Sequence, residues 1–246
     1  MSERIIVADL GEMSVRGASH VAEIIERAVK ERNKCMITLS GGNTPRKLYE
    51  RLATKEFASR IPWESTYWFF GDERHIPPDH DGSNYKMASD SLLSNVPIPP
   101  GNIHRIMTEK PDPPSIAAQY ELTIMKVFNL APGELPVFDL MFLGIGADGH
   151  TASLFPHSEA LQVTKRMATA NNIPETEDWR ITMTFPVINE SKNILFLVAG
   201  EDKAEALRQV LEGQSNPEEF PAQLVRQKRG FQLWLIEKSA AASLTK

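Results

Sequence analysis

The sequence predicts an α/β fold, a mostly parallel sheet with helices on both faces, formed by a single domain over residues 1–246. Three observations carry that prediction. Short apolar runs alternate with amphipathic stretches along the chain, as strands and crossover helices do in parallel sheets. The runs suit strands covered on both faces. Four of them lead directly into a polar or glycine-rich segment, the pattern of loops that meet at one sheet edge.

The chain starts almost at once with a strand. Residues 17–32 predict an amphipathic helix, with Val21, Ile24, Ile25 and Ala28 on one face. Residues 36–39 form a short apolar strand, followed by a glycine-rich turn and a second helix over 45–53. The aromatic, β-prone run 66–70 reads as a buried strand. Helices are expected over 84–93 and 115–129, and strands over 137–143, 180–185 and 193–199. A helix over 201–211 turns Ala204, Leu207 and Leu211 inward, and a last strand covers 231–236. The proline-rich stretches 97–100 and 111–114 read as loops. No repeat, low-complexity segment or dividing linker is visible, hence one domain.

Composition narrows the function classes. With 41% hydrophobic and 24% charged residues, the chain belongs among globular proteins rather than disordered ones. A net charge of −5 gives no basic face for nucleic acid. The single cysteine, Cys35, lies in an apolar run and reads as a core residue. With no second thiol in the chain to pair with, a reducing compartment is expected. The N-terminal MSERIIVADL lacks a signal-peptide core. No apolar stretch approaches the ~20 residues of a membrane span. A cytoplasmic protein is the expectation.

The four polar segments are SGGNTP (40–45), GDER (71–74), GIGADGHT (144–151) and GEDK (200–203). In the first, Gly42 allows close backbone approach, Thr44 suits a helix N-cap and Pro45 the first helical position. The free N–H groups of that helix end would then face an oxyanion or phosphate. The same residues also fit a plain strand-to-helix turn. No Walker-type lysine follows, so nucleotide binding is not indicated. In the third segment, His150 can titrate near neutrality and exchange protons with water. Asp148 lies two residues before it. Spacing alone equally allows Asp148 as a cap and His150 as a structural residue. Arg74 offers a planar cation for phosphate or carbonyl oxygen, or an ion pair with Asp72 or Glu73. Lys203 offers a point charge for phosphate, or is a solvated helix lysine. The remaining histidines show no metal-ligand spacing and His20 reads as a surface residue, so no required metal is expected. The absence of GxSxG argues against a serine hydrolase.

Taken together, the stretches LSGGNTPRKLYERL, FFGDERHIPPDHDGSNY, FDLMFLGIGADGHTASLFP, RITMTFPVIN and ILFLVAGEDKAEAL resemble the 6-phosphogluconolactonase family, in the glucosamine-6-phosphate deaminase-like superfamily. They run in family order over most of the chain, and FPAQLV fits near the C-terminus. The resemblance implies a Rossmann-like α/β fold and hydrolysis of 6-phospho-D-glucono-1,5-lactone to 6-phosphogluconate, in the oxidative pentose phosphate pathway, without a cofactor. It implies that His150 is the general base and that Asp148 orients it. It assigns Gly42, Asn43, Thr44, Arg180 and Lys203 to phosphate, and Arg74 to the lactone or the phosphate. Two departures separate the chain from the sister deaminases. Phe155 stands where they carry an acidic residue five positions after the histidine, and SGGNTP replaces their TGSTP. Asp72 matches their proton-transfer aspartate in position. A third reading, a sugar-phosphate sensor, would call for a DNA-binding segment that is not visible. Arg180 begins its strand whereas the other site residues follow theirs. Its strand is therefore expected to run antiparallel, or Arg180 to precede it on a loop over the site.

Overall fold

The structure, a computed structural model, describes residues 1–173, 178–227 and 229–245. Its main sheet has seven strands, all parallel. They are β1 (Ser2–Val7), β2 (Cys35–Leu39), β3 (Thr66–Phe70), β5 (Ile103–His104), β6 (Leu140–Leu143), β9 (Asn193–Val198) and β10 (Phe231–Glu237), in the order β1-β10-β9-β6-β2-β3-β5. A second sheet of three antiparallel strands joins β4 (Asp72–Arg74), β8 (Asp178–Met183) and β7 (Ala168–Ile173). Every residue of β2 and β6 is buried. Since successive side chains point to opposite faces, both faces of the sheet are covered. Cys35 lies fully inside.

Helix α1 (Leu10–Arg32) starts about two turns earlier than its apolar stripe predicts. Asp9 caps it, accepting the Glu12 N–H at 2.9 Å, while the Glu12 carboxylate takes the Ala8 N–H at 2.8 Å. This reciprocal cap supplies the start signal that the stripe alone lacks. His20 is half-buried on this helix, against Phe231, rather than on the surface. Helix α2 is Asn43–Leu52, and the short α3 is Lys55–Ala58. Helix α4 (Asn84–Ala88) continues as a π-helical turn, and α5 covers Pro113–Phe128.

The predicted strand 137–143 is shortened to Leu140–Leu143. Asp139 ends it, its buried carboxylate gathering Arg32 at 2.7 Å, Lys192 at 2.9 Å and the Met36 N–H at 3.0 Å. The strand over 180–185 becomes β8, and Phe185 instead opens α6 (Phe185–Glu190), with Pro186 in its first turn. β8 runs antiparallel to β4 and β7, the first of the two arrangements expected for Arg180, which lies within the strand rather than on a loop before it. A 3-10 turn over Glu201–Lys203 precedes α7 (Ala204–Glu212).

The sheet order places β9, β6, β2 and β3 side by side. Because they are parallel, the four polar segments that follow them leave from one edge. Two buried tyrosines fix that edge. The Tyr49 hydroxyl accepts the Ser40 N–H at 2.9 Å and donates to its carbonyl at 3.0 Å, and Tyr120 does the same for Phe70 at 2.9 and 2.8 Å. Each hydroxyl thus satisfies a backbone pair at the point where the strand ends.

Candidate active site

The turn after β2 enters α2 through Gly42, whose φ of 106° lies in a region that side chains rarely adopt. Gly42 is the N-cap, so Thr44 is a residue of the first turn and not the cap, and Pro45 stands third in the helix. The glycine conformation turns the chain two residues sooner than a threonine cap would. Pro45 is tolerated because N–H groups of the first turn lack intrahelical partners anyway. Without a capping side chain, the N–H groups of Asn43 and Thr44 have no acceptor among the described residues. The next glycine back is packed tightly: a Cβ on Gly41 would lie 1.8 Å from the Asn84 Oδ1.

The loop after β6 wraps back on itself, the Gly146 N–H donating to the His150 carbonyl at 2.9 Å and the Gly149 N–H to the Gly146 carbonyl at 3.0 Å. This brings the His150 Nδ1 to 2.6 Å from the Asp148 Oδ1, which also accepts the His150 N–H at 3.1 Å. Burial alone would raise the Asp148 carboxyl. The hydrogen bond and charge of the His150 ring, with the backbone N–H bond, outweigh it and hold the carboxyl below its usual range. An ionised carboxylate only accepts, so Nδ1 carries the proton and Nε2 is left as the basic nitrogen. Gly146 makes room for this pair, since a Cβ there would meet the imidazole at 2.1 Å and Asp148 at 2.4 Å.

The segment after β3 forms β4 and pairs with β8, setting Arg74 opposite Arg180. Arg74 makes no ion pair with Asp72 or Glu73; one guanidinium N–H donates to the Gly82 carbonyl at 2.5 Å. Arg180 donates to the Trp179 carbonyl at 3.4 Å and meets the Asp178 carboxylate at 3.5 Å. Burial first, and then the Arg74 guanidinium, depress the Arg180 pKa, with Asp178 and Asp72 opposing them. Two adjacent cations with little counter-charge invite an anion. Glu73 is buried and serves structure: it accepts N–H bonds from Arg74, Asn84 and Tyr85 at 2.7–2.8 Å. Its burial pushes its pKa up against those bonds.

Gly41, Gly42, Asp72, Arg74, Asn84 and His150 wall one cavity of about 150 Å³. The helix end, one arginine and the histidine thus share a cleft. Asp148 and Arg180 join through their contacts with His150 and Arg74. Asn43 and Thr44 are the first residues of the helix behind Gly42. Lys203 is not among the cavity walls; its ammonium lies 2.8 Å from the Asp202 carboxylate, after the adjacent strand β9.

Sequence reasoning did not single out Asn84 or Ser153. Asn84 donates to the Asp72 carbonyl at 3.0 Å, and Ser153 donates to the Asp72 Oδ2 at 2.7 Å. Both lie in stretches already quoted, GDERHIPPDHDGSNY and DGHTASLFP, but as small polar residues they carry no spacing signal. No group of three or more His, Cys, Asp or Glu side chains among the described residues is arranged to hold a metal. No helix among the described residues is long and apolar enough to cross a membrane.

The model of the family described as glucosamine-6-phosphate isomerases/6-phosphogluconolactonase matches residues 8–234. The chain belongs to this family. A 6-phosphogluconolactonase of Nostoc sp. is 40% identical over 240 residues, covering 98% of this chain and 97% of the relative. One of Synechocystis sp. is 42% identical over 220 residues, covering 89% of each. Among solved structures, 6-phosphogluconolactonase from Trypanosoma brucei superposes with a TM-score of 0.89 at 28% identity, over 100% of this chain and 99% of that one.

Proposed function

We propose that this protein is a 6-phosphogluconolactonase, hydrolysing 6-phospho-D-glucono-1,5-lactone to 6-phospho-D-gluconate in the oxidative pentose phosphate pathway. The names of the relatives support the substrate, and the whole chain acts as one lactonase domain around its contiguous core. One observation carries the mechanism: the His150 Nε2 is the free basic atom of a ring whose Nδ1 is bonded to Asp148, in a cleft that also holds the Gly42 helix end and Arg74.

In this reading the substrate phosphate lies against the N-terminus of α2, at Gly42, Asn43 and Thr44, where N–H groups and helix dipole favour an anion. Arg180 and Lys203 add positive charge, with Lys203 turning from Asp202 to do so. Arg74 walls the same cavity as Gly42 and His150 and serves the lactone or the phosphate. His150 takes a proton from water through Nε2 as the water oxygen attacks the lactone carbonyl. Asp148 stabilises the imidazolium that forms. The tetrahedral intermediate collapses by breaking the bond from the carbonyl carbon to the ring oxygen, and His150 returns the proton to that oxygen. Proton exchange of this kind contributes about 10²–10⁴-fold, with positioning and electrostatics supplying the remainder.

Freshly generated lactone, assayed by rapid coupled oxidation of the product, tests the proposal. Wild type is expected to exceed spontaneous hydrolysis. His150→Ala is expected to lose about 10²–10⁴-fold in kcat with little change in KM. Near-normal turnover by that variant would refute the role of the imidazole.

A further inference from the structure

The His150 ring is held on three sides. Asp148 takes its Nδ1 at 2.6 Å, the backbone at Gly146 approaches it too closely to admit a Cβ, and the Phe155 ring packs against it with centroids 4.2 Å apart, tilted by 36°. Phe155 is itself anchored, its carbonyl accepting the Ser158 hydroxyl at 2.8 Å. Its side chain is half-buried and borders a groove beside the β7–β8 sheet, away from the catalytic cleft.

We propose that Phe155 is a positioning residue for the reaction: its ring fixes the tilt of the imidazole, so that Nε2 points into the cleft. This rests on the lactonase reading for its kinetic consequence but not for its geometry. A single hydrogen bond at Nδ1 still allows small coupled rotations about the Cα–Cβ and Cβ–Cγ bonds, which tilt the ring and swing Nε2 off the water it must deprotonate. A flat aromatic wall removes that freedom, and offset or tilted ring pairs at this separation attract. Small misplacements of a reacting group are costly: about 1 Å can lower the rate by 10²-fold.

The test compares Phe155→Leu and Phe155→Tyr with wild type, by kinetics and by NMR of the His150 ring protons. Phe155→Leu keeps an apolar side chain but loses the flat wall. It is expected to lower kcat about tenfold with KM unchanged within twofold, while Phe155→Tyr keeps most of the activity. In the NMR spectra the ring-current shift of the His150 protons disappears in Phe155→Leu and persists in Phe155→Tyr. Thermal midpoints of both variants, measured alongside, identify any loss of folding; the partial exposure of Phe155 makes a large loss unexpected. Wild-type kcat from folded Phe155→Leu, or equal losses in both variants, overturns the positioning role. So does a His150 spectrum that both substitutions leave unchanged. An inactive wild type would instead remove the lactonase reading, with the NMR comparison still deciding whether Phe155 holds the ring.

Discussion

Arg74 and Arg180 stand directly opposite each other in the β4–β8 ladder, a cross-strand pair of like charges. Such pairs are destabilising unless something compensates them. Asp178, at 3.5 Å from Arg180, is a weak and half-exposed partner. On the proposed function, the pair gives up folding stability for affinity toward the anionic substrate.

Arg180→Gln is expected to raise KM about 10- to 100-fold with a smaller change in kcat, since a charge-assisted hydrogen bond contributes about 1.5–3 kcal/mol. The unliganded variant should melt at the same temperature as wild type or higher, because repulsion by Arg74 is relieved. Inorganic phosphate should raise the melting temperature of wild type more than that of the variant. Thermal melts with and without phosphate check both statements.

Asp148→Asn keeps the shape of the loop but replaces an acceptor-only group with one that can also donate. The His150 tautomer is then no longer imposed, and the imidazolium loses its counter-charge. A fall in kcat of at least tenfold with KM nearly constant is expected, by analogy with other carboxylate–histidine pairs. Steady-state kinetics on fresh lactone measure it.

Gly146→Ala places a Cβ 2.1 Å from the imidazole. Something must move, and the nearest atoms are those of the His150–Asp148 pair. A loss of about 1–3 kcal/mol in stability is expected from the overpacking, with a drop in kcat larger than that of a remote variant of equal stability. Urea titration and kinetics on the same preparation separate the two effects.

Tyr49→Phe removes the hydroxyl that pairs with both backbone groups of Ser40. These groups are partly buried, so the expected cost is about 1–3 kcal/mol. Because Ser40 leads directly into Gly41 and Gly42, the turn at the α2 end should loosen. Weaker stabilisation by phosphate in thermal melts is the readout.

The pH dependence of stability follows from two histidines outside the site. Burial lowers the pKa of His20, with Arg27 adding to it and Glu23 and Glu3 opposing; burial alone lowers that of His104. Their unfolded forms take up protons at the ordinary value near 6.5, and the folded forms only at lower pH. The unfolded state therefore binds more protons in this window, and stability falls as pH falls through it. Above the ordinary value both states are neutral and the contribution vanishes. Urea midpoints should be lower at about pH 5.5 than at about pH 8. His104→Phe, which keeps the ring contacts with Phe69 and Tyr67, should flatten the difference.

Much of the architecture was legible because it rests on local chemistry. Apolar runs marked β2, β3, β6, β9 and β10, and the segment after each of the first four held the polar residues of the edge. The early start of α1 was missed because the Asp9–Glu12 cap precedes the apolar stripe. β4 and β7 were not read as strands, since Asp-Glu-Arg and Ala-Thr-Ala-Asn-Asn-Ile lack the apolar pattern of a strand. Their ladder forms through partners distant in sequence.

By itself, the sequence determined which residue types could do chemistry and at which strand ends they would stand, because turn glycines, prolines and apolar periodicity act over a few residues. Its motifs also determined the family. Only the tertiary structure decided which of these groups share a cleft. It brought Gly42, Arg74 and His150 together, set Arg180 against Arg74 across an antiparallel ladder, laid Phe155 on the imidazole, and left Lys203 paired with Asp202. The reason is physical: such neighbours are fixed by strand order, pairing and packing among segments far apart in the chain, and no local pattern encodes those distances.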